Sequence, residues 1–182
     1  MRISTRKPGS RRRGVAAVEF AVVLPLLLLL LVGIWELGRI IHVQIILNNA
    51  ARDGARLAAQ STIVTSSGAY TQIHFSSGTP NINGAVRANL TAAGISDLSN
   101  LVIELQFVET ATGGAVPGST TADPYTGAKN QRFRVRVTIP YANVRWTTLS
   151  LINPTNLTAE TYWQCLVDDP FTVNTTLPGW SP

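Results

Sequence analysis

The sequence predicts an α+β protein in which a long amino-terminal helix precedes a small antiparallel-sheet head. Three observations predict this fold class. First, every residue from Val15 to Trp35 is apolar or small except Glu19. Second, a helical pattern without proline continues from there to about Gln60. Third, two later segments alternate apolar and polar residues, which is the pattern of strands with one buried face.

The apolar run is long enough to cross a membrane. At about 1.5 Å of rise per residue, a helix over 15–35 matches a hydrocarbon core of about 30 Å. The first thirteen residues contain no acid and six basic residues: Arg2, Arg6, Lys7, Arg11, Arg12 and Arg13. Flanking positive charge of this kind keeps the leader in the cytoplasm. The sequence therefore predicts a single-pass membrane protein with an exported head.

The basic charge of the chain belongs to this leader. The whole chain has 15 basic and 10 acidic residues, so nine basic residues remain against ten acidic ones once the leader is set aside. A nucleic-acid-binding protein carries its basic surface on the folded part. We therefore expect no nucleic-acid partner.

Glu19 is the unusual residue of the apolar run, because an Asp-like charge at the bilayer centre costs about 2.5–3.5 kcal/mol. One interpretation is that Glu19 lies near the basic end, extends toward the headgroups and pairs with Arg13. The other interpretation rests on the spacing, in which Gly14 is followed by four apolar residues, Glu19 and Phe20. This string resembles the processing site of type IV prepilin-like proteins, in particular the Tad (Flp) class.

The resemblance implies that a prepilin peptidase cleaves the chain after Gly14. Val15 would then be the new amino terminus and Glu19 the fifth residue. In pilin-like families the carboxylate is thought to pair with the free amine of a neighbouring subunit, and a buried carboxylate is best tolerated beside such a charge. Sec and twin-arginine signals are weaker alternatives, because residues 33–37 offer no small-residue cleavage site and any arginine-rich leader contains an arginine pair.

Pro25 lies inside the predicted span, where it removes one backbone donor and loosens the helix locally. It is either an ordinary transmembrane proline or a hinge that lets the helix bend when it leaves lipid for a filament. The sequence leaves both interpretations open.

Beyond the membrane, the helix is expected to continue over 36–60, giving one rod of roughly 70 Å. Its distal half carries a stripe of small residues that allows another element to approach closely, at Ala51, Gly54, Ala55 and Ala58. The segment from Asn49 to Arg56 resembles the one that follows the membrane helix in TadE-like proteins. The resemblance to this family covers about Gly14 to Arg56.

The head is predicted from composition and alternation. We expect a loop without regular structure over 61–80, a short helix over 83–93 that Gly94 ends, and a long loop over 110–130 where function or disorder concentrates. Strands are expected over 101–107, 133–139 and 157–167. The apolar strand faces should cover the small-residue stripe, while the opposite face, with Glu104, Arg132, Arg134 and Arg136, should be solvated.

The sequence contains little that suggests catalysis. The two histidines, His42 and His74, belong to different segments, and no phosphate-binding glycine loop occurs. We expect both histidines to be solitary, the single cysteine, Cys165, to be buried, and the protein not to be an enzyme. No cofactor, metal or small-molecule substrate is expected.

Taken together, the sequence is identified as a TadE-like minor pilin or pseudopilin, a structural or assembly component of a bacterial Tad pilus with a pilin-like fold. The predicted division is a cleaved basic leader (1–14), a transmembrane helix (15–35), its periplasmic continuation (36–60) and the head (61–182). Expected partners are the prepilin peptidase, other Tad pilins or pseudopilins, inner-membrane assembly proteins and the lipid bilayer. The expected location is the inner membrane, with the assembled pilus as a further one. The alternative is a single-span membrane protein whose external domain binds or senses something unrelated to pili.

Overall fold

One long helix begins the structure. The computed structural model describes residues 10–64, 68–108, 118, 120–146 and 154–166, with side chains from Gly14 onward. Helix α1 runs over Ser10–Gln60, a length of 51 residues, and contains Pro25. Small antiparallel sheets follow it, which confirms the predicted α+β fold class.

The chain divides into two compact units, and the division falls within α1 after His42. The first unit contains α1 up to His42 together with the segment that begins at Arg145. The second unit contains the rest of the described chain. The predicted division into 1–14, 15–35, 36–60 and 61–182 concerns roles, and it stays a prediction.

The second unit contains a three-stranded antiparallel sheet in the order β3-β4-β5. Its strands are β3 (Val102–Phe107), β4 (Arg132–Pro140) and β5 (Asn156–Gln164). Because side chains alternate along a strand, one face of this sheet is buried and contains Leu105, Val135 and Ala159. The strands predicted over 101–107 and 133–139 are confirmed to within one residue at each end. The third begins within one residue of its predicted start and ends at Gln164, and the predicted end at residue 167 lies outside the described residues.

The opposite face carries charges that pair across the strands. The Arg136 guanidinium lies 3.5 Å from the Glu104 carboxylate and also donates a hydrogen bond to Glu160. Arg134 lies 3.8 Å from Glu160. These side chains are partly exposed, so the prediction of a solvated arginine face is confirmed.

The small-residue stripe of α1 is buried, as predicted, but the sheet does not cover it alone. Helix α2 (Ile82–Ala92) also packs on it. A Cβ added at Gly54 would lie 2.7 Å from Val86 Cγ2 and 3.6 Å from Ile82 Cγ2, both on α2, and 3.7 Å from Val135 Cγ1 on β4. The absent side chain at Gly54 therefore sets how closely α2 approaches α1.

The predicted loop over 61–80 was wrong in part. Strands β1 (Thr62–Val64) and β2 (Tyr70–Gln72) pair antiparallel there. Three residues are too few for an alternating pattern to be recognised, and the Ile73 N–H donates to the Ser61 carbonyl at 2.8 Å, which continues the pairing. The predicted short helix is confirmed as α2, which precedes Gly94, whose φ of +89° suits glycine.

Part of the predicted long loop, 110–117 and 119, lies outside the described residues. Its described part, 118 and 120–130, pairs with the outer edge of β3 at Leu105. The Leu105 N–H donates to the Thr120 carbonyl at 2.7 Å, and the Ala122 N–H donates to the Leu105 carbonyl at 3.0 Å. A 3₁₀ turn follows at Pro124–Thr126. This segment therefore protects a sheet edge that would otherwise be open to another chain.

Candidate functional site

The residues predicted to act in processing and assembly all lie on the amino-terminal part of α1. Every residue from Gly14 to Leu31 is exposed. This stretch includes Gly14, Glu19 and Pro25, and the side chains of Val15 and Phe20 are 60% and 59% exposed. The structure therefore presents the whole predicted motif on the surface of one helix.

An apolar surface on all sides of a helix requires lipid or other apolar helices around it. Among the described residues, one helix is long and apolar enough to cross a membrane, and it spans Gly14–Gln60. None of its most apolar window is buried inside the protein. This arrangement fits a single-pass membrane protein better than the core helix of a soluble protein.

The bond after Gly14 lies within a helix, because α1 begins at Ser10. A peptidase that binds its substrate in an extended form must first unwind this turn. Glycine makes unwinding easier, because it is about 1 kcal/mol less favourable than alanine in a helix interior. The helix therefore contains a weak point at the predicted cleavage site.

Val15 and Glu19 are four residues apart on α1, so they lie on the same side of the helix one turn apart. Cleavage after Gly14 would place the new amine about 6 Å from the carboxylate of the same chain. After such a cleavage, the Glu19 carboxylate would have a cationic neighbour within its own subunit. Pairing between subunits would exchange one partner for the other.

Sequence reasoning missed an aromatic and cationic groove in the first unit. It has a volume of about 360 Å³ and is lined by Trp35, Gly38, Arg39, His42 and Trp146. The Trp35 and Trp146 ring centroids lie 6.3 Å apart, and the Arg39 guanidinium lies 5.1 Å from the centroid of the Trp146 ring. Trp35, at the end of the apolar run, was a usable signal. Nothing in the sequence linked it to Trp146.

His74 is not solitary, and that prediction was wrong. Its Nδ1 lies 3.4 Å from the Asp123 carboxylate, and its ring meets the edge of Tyr125 with centroids 4.8 Å apart. Asp123 also accepts a hydrogen bond from the Phe75 N–H at 2.7 Å. Among the described residues no group of three or more histidine, cysteine, aspartate or glutamate side chains could hold a metal ion. The pair joins two segments of the head.

Cys165 is buried, as predicted, and it packs against a glycine. A Cβ at Gly127 would lie 2.6 Å from Cys165 Sγ and 2.7 Å from Phe107 Cε1. Desolvation by burial raises the pKa of the Cys165 thiol to about 11. The thiol is therefore neutral at physiological pH and acts as a small apolar side chain.

Comparison with known families matches part of α1. Residues 14–56 match the model of the family described as TadE-like protein. This confirms the resemblance, which the processing motif and the segment from Asn49 to Arg56 indicated over Gly14 to Arg56. No curated protein matches the chain. No solved structure matches it either.

Proposed function

We propose that this chain, whose residues 14–56 match the TadE-like family, is a membrane-anchored minor pilin or pseudopilin of a bacterial Tad pilus. The observation that carries the proposal is the coincidence of two features on α1. The family match begins at Gly14, where the apolar run of the sequence also begins, and every residue of that run up to Leu31 is exposed. A surface of this kind can lie in lipid before assembly and against the helices of other subunits afterwards.

The proposed role is structural and requires no catalytic group. The head remains outside the inner membrane as a compact unit, and the apolar part of α1 supplies the contact with lipid or with other subunits. The partners are the prepilin peptidase, other Tad pilins or pseudopilins and the inner-membrane assembly proteins. Recovery of the protein with purified pili would place it in the filament, and recovery with the inner membrane would place it at the base.

Maturation starts with cleavage after Gly14. The peptidase acts at the membrane surface, where the helical turn at Gly14 unwinds, and it removes the basic leader. The new amine at Val15 neutralises the carboxylate of Glu19 within the same helix. In the assembled state the amine of a neighbouring subunit takes over, which places one subunit in register with the next.

The first test is the amino terminus of the mature protein. In a membrane preparation that contains prepilin peptidase, the chain should shorten and begin at Val15, and Gly14→Arg should block this. Gly33→Ala is the matched control, because Gly33 lies on the same helix with open space around it and outside the motif. Amino-terminal sequencing measures the result. A wild-type chain that stays full length would favour a single-span receptor or sensor instead.

The second test separates cleavage from assembly. Glu19→Ala and Glu19→Gln remove the charge, so both should insert more readily into the membrane and be recruited less well to the pilus machinery. Cleavage should persist at least in part, because the peptidase acts at Gly14. The measurements are the amino-terminal sequence, the membrane fraction and the number of pili. Normal piliation by Glu19→Ala would contradict the pairing of Glu19 with a neighbour.

A further inference from the structure

The groove formed by Trp35, Gly38, Arg39, His42 and Trp146 has no part in processing or assembly as proposed above. Four of its five residues come from one face of α1, and Trp146 is brought to them from a distant part of the chain. Trp146 is 68% exposed and Trp35 is 59% exposed, although their rings contact each other. Two large, adjacent and exposed aromatic rings with a guanidinium group beside them are unfavourable in contact with water alone and indicate a binding surface.

The position of the groove along α1 identifies this environment. From Gly14 to Trp35 the helix rises about 32 Å, which is close to the thickness of the hydrocarbon core. If this run fills the core, Trp35 lies at the outer boundary and Arg39 lies about 6 Å beyond it. The headgroup layer on each side of a bilayer is about 5–7 Å thick. Trp35 and Arg39 therefore fall at the boundary and at the level of the phospholipid headgroups.

The chemistry of the groove suits that level. Tryptophan side chains are enriched where hydrocarbon meets headgroups, and a guanidinium group binds phosphate oxygens with two parallel hydrogen bonds. Gly38 leaves room beside Arg39, because a Cβ added there would meet nothing within 4 Å. Glu36, the acidic residue nearest along the helix, is 3% exposed and does not line the groove.

We propose that Trp35, Arg39, His42 and Trp146 form a binding site for one anionic phospholipid headgroup of the outer leaflet. Arg39 binds the phosphate, His42 lies beside it as a second polar group, and the two indoles border it at the boundary with the acyl chains. The site fixes the depth and rotation of α1 in the bilayer. This inference rests on the proposed function only in that α1 crosses a membrane.

The test uses the full chain in nanodiscs that contain equal amounts of phosphatidylglycerol and phosphatidylcholine. After transfer to a mild detergent, native mass spectrometry counts the lipids that remain bound. Phosphatidylglycerol should be retained in preference, and Arg39→Gln should reduce this preference about fivefold, which is the worth of one basic residue near an anionic surface. Arg52→Gln is the matched control, because Arg52 is an exposed arginine on the same helix outside the groove.

Two further variants separate the groove from the charge. Gly38→Leu fills the space beside Arg39 without changing the charge, so it should also reduce the retention of phosphatidylglycerol. Nitroxide-labelled lipids quench tryptophan fluorescence at the depth of the label. Trp146→Phe should therefore reduce quenching by a headgroup-labelled lipid more than quenching by a lipid labelled in mid-chain. Protection of Cys165 from thiol reagents checks that each variant is folded.

The inference is overturned if the wild-type chain retains the two lipids equally, or if Arg39→Gln and Arg52→Gln behave alike. It is also overturned if Trp146 is quenched only from mid-chain, or if the groove is occupied by a second copy of the chain instead of lipid. A chain that carbonate extracts from membranes refutes both this inference and the proposed function. A chain that retains the lipid but never joins a pilus refutes the proposed function alone.

Discussion

Gly54 is a residue at which the packing of the head is sensitive to a small change. In Gly54→Ala, the new Cβ would lie 2.7 Å from Val86 Cγ2, closer than such atoms approach, so α1 or α2 must move. Val86 is fully buried, and a β-branched side chain in a helix has one strongly preferred rotamer, so it cannot turn away cheaply. The clash is therefore one of overpacking.

Two effects of opposite sign decide the magnitude. Overpacking a well-packed core costs about 1–3 kcal/mol. Replacing glycine by alanine inside a helix gains about 1 kcal/mol. We expect Gly54→Ala to lower the free energy of unfolding by about 1 kcal/mol.

The single cysteine of the chain supplies the assay. Cys165 is fully buried, so thiol labelling in detergent micelles over a urea series reports the unfolded fraction of the head. Arg52→Ala, an exposed change nearby on the same helix, should shift the free energy by less than about 0.5 kcal/mol.

A double-mutant cycle tests the reason for the loss. Val86→Ala removes the atom that the new Cβ would meet, so the double variant Gly54→Ala/Val86→Ala should be more stable than the sum of the single effects by at least about 0.5 kcal/mol. Stabilisation by Gly54→Ala alone, or additive effects in the cycle, would refute the close packing of α2 on α1.

Three further predictions concern the head. Asp123→Ala should cost about 1 kcal/mol in urea unfolding, because the part-buried Phe75 N–H loses its acceptor. Asp123→Asn keeps an oxygen there and should cost less, so equal losses would contradict this. Burial raises the pKa of Cys165 from 9.0 to about 11. Between pH 9 and 11 the thiol therefore ionises in the unfolded chain before it ionises in the folded one. The contribution of Cys165 to the free energy of unfolding should be complete below pH 9 and be lost across this range. The fall should be absent in Cys165→Ala, and an identical fall there would disprove its origin. A fragment that begins at Ile40 should fold and one that begins at Ser61 should aggregate, because the distal part of α1 is buried against the head. Thermal unfolding and gel filtration measure this, and cooperative unfolding of the shorter fragment would contradict it.

The sequence by itself determined the elements whose signal is local and long. The apolar run that ends at Trp35 predicts a membrane helix because each residue reports hydropathy independently of the rest of the fold. The strands β3 and β4 are equally clear, because six or more residues of strict alternation leave one interpretation. Within α1, the spacing of Gly14 and Glu19 indicated the family that residues 14–56 match.

Other features depended on the tertiary structure because they are pairwise contacts between distant segments. Strands β1 and β2 have only three residues each, so their pairing, and not their composition, defines them. Asp123 reaches His74 because the described part of the long loop folds back along the edge of β3. Each segment on its own is consistent with an ordinary polar loop.

The groove at the end of the apolar run shows the same division. Hydropathy alone places Trp35 near the membrane boundary, since only the local pattern is needed. Trp146 joins it through a contact between residues far apart in the chain, and no periodicity records such a contact. The sequence therefore determined which part of α1 is apolar enough to meet lipid. The tertiary structure decided which side chain lies beside the end of that part, because hydropathy patterns specify faces and not the partners that those faces contact.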